Sequence, residues 1–104
     1  MTRYFNSRGE HIANESNGRL YAPGGQNIGR YVESAQIFVD ISGRYLGEVV
    51  SENRLMSNRS SGHRSTNFGN AGSAGSIGSA GNPGNIGSVG SIGGYEDIEP
   101  ERLG

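Results

Sequence analysis

From Gly69 to Gly93 every third residue is glycine, nine in succession: Gly69, Gly72, Gly75, Gly78, Gly81, Gly84, Gly87, Gly90 and Gly93. After each of the first eight comes Ser or Asn, then Ala, Ile, Val or Pro, and no charge interrupts the run. A strand alternates with period two and an α-helix with period 3.6, so a strict period of three suits neither. It suits a left-handed extended helix of the polyproline II type, with three residues per turn and about 3.1 Å rise. The segment would then carry a glycine edge, a small polar edge and an apolar edge. Extended this way, residues 69–93 span roughly 78 Å.

Such a helix has no internal hydrogen bonds, so its backbone must be satisfied from outside. In a collagen triple helix glycine occupies the crowded axis, but that composition wants proline near 15–20%. Only Pro83 lies inside this repeat. A polyglycine II bundle tolerates low proline and suits small residues on every edge. A flexible Gly/Ser linker has no reason to hold phase over nine glycines, nor to keep Ile77, Ile86, Val89 and Ile92 on one edge. The repeat therefore predicts an ordered rod, polyglycine II or collagen-like. The nine glycines and those four apolar residues would be its assembly contacts. The simplest partner for one rod is another copy, in a homo-oligomer or filament.

The chain has 104 residues and no cysteine, so neither disulfides nor thiolate metal sites can support a small core. Oligomerisation is a common substitute. Net charge is −1, which gives no strong attraction to nucleic acid or a membrane surface. All nine basic residues are arginine, the better residue for fixed bidentate contacts. No apolar stretch reaches membrane-spanning length and no signal-peptide core follows Met1. The default expectation is a cytoplasmic protein, or one released by a route that needs no such signal.

The first 56 residues read as short strands broken by turns. Asn17-Gly18 is a type I′ hairpin signal. Pro23-Gly24-Gly25 and Ile41-Ser42-Gly43 mark further turns. Candidate strands are residues 3–5, 11–14, 19–22, 28–32, 36–40, 45–50 and 54–56, rich in β-branched and aromatic types. Nothing repeats at helical period. Phe5, Tyr21 and Phe38 recur 16 and 17 residues apart, each followed by a glycine turn, an aliphatic residue, then Ala13, Gly29 or Gly47. Leu55 would be next. A unit of this length is one β-hairpin, and several must group to bury an apolar face. The small residues suit close backbone approach.

This aromatic–turn–Gly–x–x–aliphatic–Gly pattern, closest in Gly43-Arg44-Tyr45-Leu46-Gly47-Glu48, resembles the bacterial four-fold beta-flower family over about residues 2–56. The fourth unit is reduced to Arg54-Leu55-Met56. The resemblance implies a small, shallow barrel of hairpin petals and brings no activity or catalytic residues with it.

Site chemistry is sparse. His11 and His63 are the only histidines, they lie far apart in sequence, and both are expected to face solvent. No metal-ligand spacing and no strained nucleophile elbow occurs. The glycines at 9, 24, 25 and 43 lack the strand–loop–helix context of a phosphate loop. Asn14-Glu15-Ser16 and Asn58-Arg59-Ser60 match glycosylation sequons. No catalytic, metal or cofactor residues are assigned.

The expected fold is all-β: a barrel or flower of repeated hairpins in residues 1–56, a Ser- and Arg-rich hinge in 57–68, a Gly-x-x rod in 69–94 and an acidic cap in 95–104. The expected function is a non-enzymatic, self-assembling structural protein. The alternative is a β module binding a small apolar ligand or lipid between Phe5, Tyr21, Phe38 and Tyr45, with the glycine repeat as spacer. The acidic end could stop the rod, dock on the head's arginines or bind a partner.

Overall fold

The computed structural model describes residues 2–69, 75, 84–90 and 92–103. Seven consecutive strands form an up-and-down sheet: β1 (Thr2–Phe5), β2 (His11–Ser16), β3 (Arg19–Tyr21), β4 (Asn27–Val32), β5 (Ile37–Asp40), β6 (Tyr45–Val50) and β7 (Arg54–Asn58). Neighbours pair antiparallel, and a parallel contact between Phe5 of β1 and Arg54 of β7 closes the sheet into a barrel. An eighth strand, β8 (Tyr95–Asp97), pairs antiparallel with β7 at Met56, Ser57 and Asn58. The edge of β7 that faces away from β6 is therefore shared, its start by β1 and its remainder by β8.

The unit of the barrel is visible in its hydrogen bonds. In three hairpins the same turn recurs: Gly9 donates to Asn6, Gly25 to Ala22 and Gly43 to Asp40, while Asn6, Ala22 and Asp40 donate to the carbonyls of Glu10, Gln26 and Arg44. Each turn glycine holds φ between +86° and +102°, a left-handed conformation that suits a residue without Cβ. Each hairpin also shifts register just before its turn, at Tyr4/Phe5, Leu20/Tyr21 and Phe38/Val39. The linking turn at Asn17-Gly18 has positive φ at both residues, as a type I′ turn requires.

In every unit a large buried residue faces a small one: Tyr4 opposite Ala13, Leu20 opposite Gly29, Phe38 opposite Gly47. The small residues admit the next strand. A Cβ on Gly29 would lie 2.2 Å from the Val39 carbonyl oxygen, and one on Gly47 would lie 2.8 Å from that of Met56. The main core gathers Tyr4, Ala13, Leu20, Ala22, Ile28, Phe38, Leu46 and Leu55. Tyr4 and Tyr31 both pack edge-on or tilted against Phe38, at 5.6 and 5.0 Å between ring centres. A smaller cluster of Ile37, Val39 and Tyr45 is covered by Phe68.

After β7 the chain stays on the barrel. Ser61 caps a short 3₁₀ turn at Gly62–Ser65, Arg64 donates to Ser57 Oγ and to the Asn58 carbonyl, and Asn67 bridges to Arg44. The acidic end is likewise docked. Ile98 and Leu103, the latter in a 3₁₀ turn at Pro100–Leu103, complete the main core. The segment does not dock through head arginines as expected: it meets Ser7, Glu48 and Asp40, the last through its own Arg102, while Glu96 lies 3.9 Å from Arg64 of the 57–68 stretch. No helix among the described residues is long and apolar enough to cross a membrane.

Candidate functional site

Both ends of the glycine repeat are tied to the barrel. At the first, Phe68 N–H donates to the Gly43 carbonyl at 2.8 Å, and Arg30 Nη2 donates to the carbonyls of Phe68 and Gly69 at 2.8 and 3.1 Å. At the second, Ile86 N–H donates to Gly9 and Val89 N–H to Ser7, each at 2.9 Å. The buried Arg54 fixes this end from below, with Nη1 on the Asn6 carbonyl and Nη2 on that of Gly87. A rigid five-donor guanidinium suits such a fan of carbonyls better than an ammonium. The turn glycines double as seats. A Cβ at Gly9 would lie 1.9 Å from the Ile86 oxygen, and one at Gly43 would lie 2.5 Å from Gly69.

The described part of the repeat is not a free-standing rod. Gly69, Gly75, Gly84 and Gly90 hold φ from +71° to +92°, whereas a polyproline II helix holds φ near −75° throughout. Residues 84–90 instead lie along the first turn of the barrel. Gly72, Gly78, Gly81 and Ile77 lie outside the described residues.

The outer side of this segment is open. Gly84, Gly87, Gly90 and Gly93 are exposed, and a Cβ on any of them would meet nothing within 4 Å. Gly87 and Gly93 are also outside the left-handed region, so neither backbone strain nor a neighbouring atom of the described residues demands glycine there. Val89 points outward with 40% exposure, and Ile86 and Ile92 are half-buried.

The C-terminal segment docks through both apolar and polar contacts. Asp97 accepts from the Ser7 N–H and hydroxyl at 2.8 and 2.7 Å. Arg102 meets Asp40 at 3.1 Å, and Tyr95 donates to Glu48 at 3.0 Å. Burial disfavours a charged Asp40, but donation from Ser42, Arg44 and Arg102 outweighs it and holds the carboxyl below its ordinary value. Burial pushes the Tyr45 phenol up to about 12, with the Asn58 N–H acting against the shift and Glu48 adding to it. The bond to Glu48 raises Tyr95.

Phe5, Tyr21, Phe38 and Tyr45 are all buried, but they do not line one pocket. Phe38 is in the main core with Leu20 and Leu55, Tyr45 is in the smaller cluster, and Phe5 packs against His11 at 5.6 Å. The turn bonds explain the separation. They match Phe5 and Tyr21 with Val39, and match Tyr4 and Leu20 with Phe38. The third unit has one extra residue before its glycine, and a one-residue slip sends a strand side chain to the opposite face. Surface grooves of about 350 Å³ beside Tyr31 and Val49, and about 370 Å³ beside Asn27 and Asp40, include none of the four aromatics.

The histidines differ from expectation. Both are half-buried: His11 Nε2 lies 2.7 Å from Asn14 Oδ1, and His63 packs on Phe68 at 5.7 Å. Asn14 of the first sequon is 1% exposed, so the folded barrel shields it from modification. Among the described residues no three His, Asp or Glu side chains are grouped to hold a metal ion. Sequence reasoning missed Arg54 and Ser7 as anchors of the repeat and of β8. Their partners are distant in the chain, and no local pattern marks them.

Comparison with known proteins finds no matching family model, no matching curated protein and no matching solved structure.

Proposed function

We propose that this chain is a non-enzymatic, self-assembling structural protein whose copies join through the Gly-x-x segment into a homo-oligomer or filament. The observation that carries this reading is the open glycine ridge. Gly87 and Gly93 repeat in phase with the rest, yet nothing among the described residues excludes a side chain at either. A neighbouring backbone lying against the ridge supplies the missing reason, because only glycine permits so close an approach. The exposed Val89 beside it would be covered in the same contact. The extended rod, polyglycine II or collagen-like, belongs to this proposal as the form the repeat takes once neighbours satisfy its backbone.

The ligand-binding alternative has less behind it. Of its four aromatics, Phe38 and Tyr45 fall in separate clusters and Phe5 and Tyr21 in neither, and the residues at the main core are packed against one another. Kinship with beta-flower domains stays a proposal, supported by three hairpins that share turn, register shift and large-to-small pairing.

Mass photometry across nanomolar to micromolar concentration, with negative-stain images, tests the reading. Discrete oligomers or filaments are expected. Gly87→Val should keep the melting behaviour of the isolated barrel, since its Cβ enters open space, while weakening assembly. Monomers at every concentration, or normal assembly of Gly87→Val, would overturn the proposal.

A further inference from the structure

We infer that the chain from Gly84 to Leu103 is exchanged between copies, so that β8 of one copy docks on β7 of the next. This deepens the self-assembly reading and rests on it.

The segment carries a complete docking address. Ile98 and Leu103 fill the main core. Asp97 takes both donors of Ser7, Arg102 meets Asp40, and three residues of β8 pair with Met56, Ser57 and Asn58. Upstream, Ile86, Gly87 and Val89 hold Gly9, Arg54 and Ser7. All these docking partners lie on the barrel, and every copy of the barrel presents the same set. Between Gly69 and Gly84 the chain has no charge and one proline, so nothing in that stretch specifies which copy its end must join. An element exchanged between identical protomers keeps every contact and leaves its energy unchanged.

Exchange also reconciles two observations that conflict within one chain. The period-three repeat is suited to straight extension. Yet its start sits on Gly43 and its end on Ser7 and Gly9 of the same barrel. Docked on a neighbour, the same repeat becomes a bridge. At about 3.1 Å per residue, the stretch from Gly69 to Gly84 reaches roughly 45 Å, more than the 35 Å greatest extent of the chain. Tethering within one chain holds an end at about millimolar effective concentration, so dilute copies close on themselves. Exchange belongs to the assembled state, where a neighbour's barrel is as near as the chain's own.

The protein has no cysteine, which makes a disulfide test clean. Ser57 and Glu96 are paired directly across β7 and β8, a position whose Cα separation falls in the range a disulfide spans. The full-length variants Ser57→Cys and Glu96→Cys, one isotope-labelled, are mixed in denaturant, refolded together at high concentration and oxidised. A mixed-mass disulfide dimer is expected, in clear excess over the dimer that Ser57→Cys forms alone. The double variant, closing on itself when dilute, verifies the geometry. If the double variant closes but the mixture gives no mixed dimer, exchange is overturned. Mass photometry of the same sample separates the two ideas: oligomers without the mixed disulfide sink exchange and leave assembly standing, whereas monomers alone sink both.

Discussion

The backbone N–H and the hydroxyl of Ser7 both donate to the carboxylate of Asp97, joining the first turn of the barrel to its last strand at 2.8 and 2.7 Å. Charge-assisted bonds of this kind are stronger than neutral ones. They hold β8 on the part of the β7 edge that β1 leaves free.

Asp97→Ala would leave both Ser7 donors without this acceptor. The expected loss is about 1–3 kcal/mol of unfolding free energy, read by urea denaturation. Amide exchange at Tyr95–Asp97 should accelerate more than exchange in β5 or β6. Equal acceleration everywhere would mean that β8 and the barrel open as one unit.

Gly29→Ala sets a Cβ against the Val39 carbonyl, whereas Gly93→Ala sets one in open space. The first should destabilise by about 1–3 kcal/mol, as overpacking does. The second should stay within about 0.5 kcal/mol of the parent under monomeric conditions. Similar midpoints for the two variants would show that close strand approach is not why glycine stands at 29.

Asp40 predicts an acid limb. Its folded pKa is depressed against burial by Ser42, Arg44 and Arg102. A depressed carboxyl contributes stability above its unfolded value, about 3.9, and loses it as pH falls through the folded value. Asp40→Asn should therefore be less stable than the parent at pH 7, with the difference narrowing steadily below about pH 4. A gap that does not change with pH would assign the loss to packing rather than to charge.

Tyr45 predicts an alkaline one. The folded phenol titrates at about 12, above the value near 10 of a free tyrosine. The neutral form is the one favoured on folding, so its contribution is fully present below about pH 10 and disappears as pH rises toward 12. Tyr45→Phe removes the acceptor of the Asn58 N–H, at 2.8 Å. It should cost about 1 kcal/mol at neutral pH and flatten the decline above pH 10. An unchanged alkaline limb would point to another group.

Much of the barrel was legible because strand and turn chemistry is local. Asn17-Gly18, the turn glycines at 9, 25 and 43, and the β-branched runs each act within a few residues. All seven expected strands appear within a residue or two of their expected bounds. β8 was not legible. Tyr95-Glu96-Asp97 is short and acidic, and it is a strand only because β7 presents an unfilled edge. The four-aromatic pocket was misplaced for a related reason. Spacing alone puts Phe38 in step with Phe5 and Tyr21, while the one extra residue before the third turn glycine sets it on the face of Tyr4 and Leu20.

The one-dimensional pattern by itself determined that this chain makes hairpins and that its later part repeats every three residues, because dihedral preferences and periodicity are properties of neighbours along the chain. Only the tertiary structure decided that both ends of the repeat return to the barrel, that Arg54 and Ser7 receive them, and that Ile98 and Leu103 finish the core. Those contacts join residues dozens of positions apart. Their stability comes from buried area and satisfied polar groups, which exist only once the barrel has closed.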